Sequence, residues 1–172
     1  FFVVGDVLRH HHDLVRRIYE AGHEIACHGW SHRPLWSLDA VRLDEELEEF
    51  DQELATVMPK EEVVGFRAPT WSLDERTGWA LDVLRARGYR YDSSIFPIRN
   101  YLYGVSGAPS HPYRPTAEEL TIDHAELGPG NSQLVEFPMS ICRLLGWPIP
   151  VSGGFYLRAI PQAMLRWLVR TM

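Results

Sequence analysis

The sequence predicts an α/β protein built on a parallel sheet or barrel, and three observations carry that prediction. Short apolar runs recur along the chain at Phe1–Val4, Ile25–Cys27, Val63–Phe66, Tyr89–Tyr91 and Leu134–Phe137. Several of these runs end in a polar cluster: His28-Gly29-Trp30-Ser31-His32, Arg67-Ala68-Pro69-Thr70-Trp71 and Asp92-Ser93-Ser94. Between the runs lie segments whose apolar residues fall three and four apart, the period of an amphipathic helix. Repeated β–α units of this kind imply parallel pairing, with active groups collected at the carboxyl ends of the strands.

Taken in order, Phe1 to Val4, closed by Gly5, reads as a strand covered on both faces. From Asp6 to Ala21 the pattern is helical, with Leu14, Val15, Ile18 and Tyr19 on one side and Gly22 as the stop. The run His10-His11-His12 belongs to a solvated helix start or turn. After the second strand and the loop Arg33-Pro34-Leu35-Trp36, Ser37 or Asp39 caps a helix to about Met58. Leu43, Leu47, Phe50, Leu54 and Val57 form its apolar stripe, and its acids are expected on a solvated face.

The third strand leads into Ser72-Leu73-Asp74-Glu75, a capping-box pattern that predicts a helix to Gly88. Residues 98–132 are rich in Pro, Gly, Tyr and His, lack a clear period, and read as one long irregular loop or lid. After the fifth strand, 146–158 is a further irregular segment. Pro161 then opens a last helix with Met164, Leu165, Leu168 and Val169 on its apolar face.

Composition narrows the class. The 172 residues, 45% hydrophobic and 23% charged, suit an ordinary globular domain. A net charge of −6 argues against a nucleic-acid partner, which needs a concentrated basic face. No apolar run is long enough to span a bilayer. Cys27 and Cys142 are far apart and expected as buried thiols. The chain starts in mid-strand without Met and stops within a helical pattern, so both ends are expected to be cut. The compartment is left open, with the cytoplasm as the default.

His28 and His32, four residues apart at a strand end, are the candidate metal ligands. Two neutral imidazoles suit a divalent metal such as zinc, and a catalytic site adds a further ligand and an open position for water. Read alone, the pair is as well explained by two polar loop histidines, and context must decide.

The context is a resemblance. Gly22-His23-Glu24-Ile25-Ala26-Cys27-His28-Gly29-Trp30-Ser31-His32, then Arg67-Ala68-Pro69, Tyr91-Asp92-Ser93-Ser94-Ile95-Phe96-Pro97 and Glu136-Phe137-Pro138, resembles the polysaccharide deacetylase family with NodB homology. It is most similar to members found with exosortase and exopolysaccharide loci. The resemblance implies a distorted, usually seven-stranded (β/α) barrel, incomplete in a chain that is one partial domain over 1–172. It implies one divalent metal, commonly zinc, held by His28 and His32. The family's third ligand and its base, both Asp, and its acid, a His, are expected beyond the two ends.

By the same resemblance Arg67 holds the base, the Thr70 N–H steadies the oxyanion, and Asp92 lines the site. Pro69 shapes the groove, and Trp30 and Trp71, which flank the motifs, are expected to bind sugar rings. The implied function is metal-dependent removal of N-acetyl groups from an N-acetylated polysaccharide or oligosaccharide, with the chain as given inactive. The alternatives are an allantoinase-like amide hydrolase on a small molecule and a non-catalytic glycan-binding module.

Overall fold

A computed structural model describes residues 1–124, 134–144, 147–151 and 153–170. Five short strands form its central sheet: β1 (Phe2–Val3), β2 (Ala26–Cys27), β3 (Gly65–Phe66), β4 (Tyr91–Asp92) and β5 (Val135–Glu136). They lie in sequence order and every neighbouring pair is parallel. The α/β class and the parallel sheet are therefore as expected.

The register positions the site. Val3, Cys27, Phe66, Asp92 and Glu136 occupy one row across the sheet. The ladder runs one residue further in each strand, through His28 N to Val3 O, Arg67 N to Cys27 O, Ser93 N to Phe66 O and Phe137 N to Asp92 O, all at 2.8–3.0 Å. His28, Arg67, Ser93 and Phe137 consequently stand side by side at the carboxyl edge.

The core lies where helices meet the sheet. Helix α3 (Ala40–Leu54) is capped by Asp39, which accepts from Arg42 N at 2.9 Å. It buries Leu43, Leu47, Phe50 and Leu54 completely or nearly so. Each such side chain is worth about 1.5–3 kcal/mol of burial. Arg87, following α4 (Ala80–Ala86), bridges Asp44, Glu48 and Asp51 of α3, so it joins two helices.

Several expected elements differ. The first helix is two, α1 (Gly5–His10) and α2 (His12–Glu20), because His11 leaves helical geometry at φ −136°. Leu8 and Val15 fill the core and Leu14 is exposed. The capping box at Ser72–Glu75 does not form, since Ser72 Oγ donates to Pro69 O and accepts from Leu35 N. Asp74 instead pairs with Arg76, and α4 starts only at Ala80.

Up to residue 124 the long segment has no helix or strand, but it is packed and no open lid. Val105, Tyr113 and Leu120 are buried, and Tyr113 bridges to Glu136. The rest of that segment, 125–132, lies outside the described residues. Beyond β5, β6 (Ile141–Leu144) pairs antiparallel with β7 (Trp147–Pro150), and the segment 146–158, expected to be irregular, holds β7 and most of α5 (Gly154–Ala159). On α6 (Gln162–Arg170) Leu168 is buried, whereas Met164 and Val169 are exposed, so the buried stripe is narrower than the pattern suggests.

Candidate active site

The residues at the carboxyl edge border one cavity of about 560 Å³. Its lining includes His28, Arg67, Thr70, Trp71, Ser93 and Phe137, with Met139 and Gly153 from the later part of the chain. His28 is half-buried. Its Nδ1 donates to Arg67 O at 2.6 Å, because a carbonyl only accepts, and Nε2 is left with the lone pair. Burial above all, with smaller pushes from His32 and Arg67, lowers its pKa below the ordinary histidine value. A neutral ring with one nitrogen anchored on a carbonyl is the usual state of a metal-ligating histidine.

The His32 ring stands 5.1 Å from that of His28, centroid to centroid, at 69°. Two imidazoles sharing one tetrahedral ion at about 2.1 Å from each nitrogen have centroids about 5 Å apart, so the pair fits such an ion. Among the described residues no third His, Cys, Asp or Glu joins it.

Three non-glycine residues have positive φ among those described: His32 (57°), Thr70 (60°) and Trp71 (47°). Thr70 is β-branched, for which this conformation is costly. Such strain persists only where the surroundings enforce it, and it concentrates at functional sites. Among the described residues the Thr70 N–H makes no hydrogen bond, and Thr70 lines the cavity.

Arg67 is half-buried, with Nε donating to Ser93 O (2.9 Å), Nη2 to Ser93 Oγ (2.7 Å) and its plane 3.9 Å from the Phe2 ring. Burial lowers its pKa and the Asp92 and Glu136 carboxyls oppose this. A guanidinium remains charged in such a setting. Pro69 is buried and is not among the residues lining the cavity. Trp71 packs on Phe96 and Tyr103, at 5.6 and 5.5 Å.

Four expected residues do not border this cavity: Pro69 is buried, and His32, Trp30 and Asp92 stand elsewhere. Trp30 faces a separate cavity with Arg9 and His32, its ring 4.5 Å from the Arg9 guanidinium, so it is not brought together with Trp71. Asp92 is wholly buried behind Ser93 and does not line the cavity. Its carboxylate accepts from Ser94 Oγ at 2.5 Å and faces Glu136, which accepts from Ile95 N at 2.9 Å. Burial drives both carboxyls above their ordinary values, and the Asp92 charge adds to the effect on Glu136. Ionised, Glu136 Oε2 has no partner among the described residues. A proton held on Glu136, which burial favours, would supply a donor toward Asp92, so the pair is read as two acids with one proton between them.

Glu46 was expected on a solvated face, Ser93 and Glu136 stood in their motifs without an assigned role, and Gly153 was not singled out. Glu46 was findable: it lies three residues after Leu43 and four before Phe50, on the buried stripe. Gly153 was not, because its role is a contact distant in sequence. At φ +92°, a Cβ there would stand 2.5 Å from Trp71 Cη2.

Residues 1–91 match the polysaccharide deacetylase family, and 93–172 match a domain of unknown function, DUF3473. The junction falls within the β4–β5 pairing, and residues from both sides border the cavity. A chitooligosaccharide deacetylase of Rhizobium leguminosarum bv. trifolii is 32% identical over 75 residues, 43% of this chain and 35% of that protein. The structure resembles that of a protein from Mycobacterium smegmatis assigned as a polysaccharide deacetylase, at 30% identity and TM-score 0.59, over 81% of this chain and 40% of that one. It shares a fold with an allantoinase at 19% identity and TM-score 0.53, over 81% and 37% of the two chains. The chain spans about a third of the length of the curated relatives it matches, 33% and 35% in two cases. With 91 of its 172 residues matched, the chain belongs to the polysaccharide deacetylase family.

Proposed function

We propose that the intact protein is a metal-dependent hydrolase that removes N-acetyl groups from an N-acetylated polysaccharide of the exopolysaccharide class. The observation that carries the reading is the His28–His32 pair, with the His28 tautomer set by Arg67 O, beside a cavity walled by the unpaired Thr70 N–H. Family membership and the likeness to a chitooligosaccharide deacetylase support an acetylated glycan as substrate. The exopolysaccharide class is supported by the motif set Tyr91–Pro97 and Glu136–Pro138.

His28 Nε2 and the His32 ring would hold a divalent metal, with zinc favoured by imidazole donors. Bound there, the metal supplies a Lewis acid for the acetamide carbonyl and lowers the pKa of the attacking water. Thr70 N–H donates to the oxygen that becomes negative as the carbonyl turns tetrahedral. Losing such a donor costs about 2.7–4 kcal/mol. Arg67, fixed by Ser93, presents its charge to a carboxylate base. Trp71, clamped by Phe96 and Tyr103, offers a flat apolar wall for a sugar ring.

The test is acetate release from an N-acetylated oligosaccharide, with zinc binding measured in parallel, for the intact protein and for His28→Ala and His32→Ala. Both variants should lose both properties. Undiminished turnover in either refutes the reading, and glycan binding by the intact protein without metal-dependent acetate release would assign a binding module instead.

A further inference from the structure

Glu46 takes no part in the chemistry above, yet among the described residues it is the acid of α3 that the fold buries, at 6% exposure. A buried carboxylate is costly unless donors surround it. Its donors come from the loop between the two histidines. Oε2 accepts from Trp30 N and Ser31 N, each at 3.2 Å, and Oε1 accepts from Ser31 Oγ at 2.5 Å. Gly29 at φ +75° and His32 at φ 57° bend the loop around that carboxylate. The stretch joining His28 to His32 is thus tied by three hydrogen bonds to a helix whose neighbouring residues Leu43, Leu47 and Phe50 are locked in the core.

We propose that Glu46 is a positioning residue for the ligand pair: its carboxylate holds the backbone of Trp30 and Ser31 so that the His28 and His32 rings keep their spacing before a metal arrives. This rests on reading His28 and His32 as ligands. Without an acceptor at position 46, two part-buried N–H groups lose their partner and the loop relaxes toward water, taking His32 with it. Outer partners that orient ligands are typically worth 10- to 100-fold in metal affinity.

The experiment compares Glu46→Gln and Glu46→Met in the intact protein, titrated with zinc or cobalt alone against a chelator. Gln keeps an oxygen for both N–H groups, and its NH2 can donate to the Ser31 hydroxyl. Met fills similar space and accepts almost nothing. E46Q should bind metal close to wild type. E46M should bind about 10- to 100-fold more weakly, with altered visible absorption of bound cobalt.

An E46M protein that is less stable but binds metal as tightly as wild type overturns the proposal, since Glu46 then only anchors the fold. If E46M does not fold, hydrogen exchange in wild type decides: slow exchange of the Trp30 and Ser31 amides supports the anchor, and fast exchange overturns it. His32→Ala separates the two readings. Wild-type affinity in H32A refutes the ligand assignment and this proposal together, whereas lost affinity in H32A with unchanged affinity in E46M refutes only the role of Glu46.

Discussion

Replacing Glu136 by Gln probes the shared proton of the buried acid pair. Unfolded, Glu136 ionises near the ordinary 4.5, and in the fold it keeps its proton to well above that value. Over this interval the native state binds one more proton than the unfolded state, so stability falls as pH rises, by about 1.4 kcal/mol per pH unit. The contribution is whole below the unfolded value and is lost as pH climbs through the folded one. Gln retains an oxygen for Ile95 N, offers an NH2 to Asp92, and has no proton to lose.

Urea unfolding of the intact protein, followed by tryptophan fluorescence at several pH values, measures the difference. As pH rises above the ordinary glutamate value, wild type should lose stability relative to E136Q, at up to about 1.4 kcal/mol per pH unit while Glu136 keeps its proton in the fold. Taking the difference between the two proteins cancels the titrations that they share. A stability difference that stays constant with pH would refute the shared-proton arrangement, whatever its size.

Two further substitutions test the cavity wall and the buried hydrogen-bond network behind it. Gly153→Ala places a Cβ where Trp71 now lies and requires an alanine at φ +92°. It should cost about 1–2 kcal/mol and raise KM for an oligosaccharide more than it lowers kcat, as steady-state kinetics would show. Ser94→Ala removes the hydroxyl that accepts from Ala68 N at 2.7 Å and donates to Asp92 at 2.5 Å. Both partners are buried, so thermal unfolding should show a loss of about 2–4 kcal/mol.

Where local pattern and tertiary packing agree, the fold was readable. The stripe Leu43, Leu47, Phe50, Leu54 and the cap Asp39 appear where the helical period places them. The pattern failed where a side chain had a better partner far away. Ser72 has the spacing of a helix cap, but Leu35 N and Pro69 O claim its hydroxyl, and the helix starts eight residues later. Met164 and Val169 fit an apolar face, yet only a narrow strip around Leu168 meets the small cluster formed with Cys142 and Val151. The acids of α3 read as one solvated face because six exposed or half-exposed carboxylates hide the one that turns inward.

Residue types and spacing marked the strand ends, because that signal is local, and the family resemblance gave the pair His28 and His32 and the run Arg67 to Trp71 their meaning. Chemistry that depends on partners distant in sequence was settled by the tertiary structure. It locks the His28 tautomer with Arg67 O, sends Trp30 and Trp71 to different cavities, and buries Asp92 against Glu136. The physical reason is the parallel register: one row of the sheet brings residues 28, 67, 93 and 137 side by side, and no local pattern encodes which residues share a row.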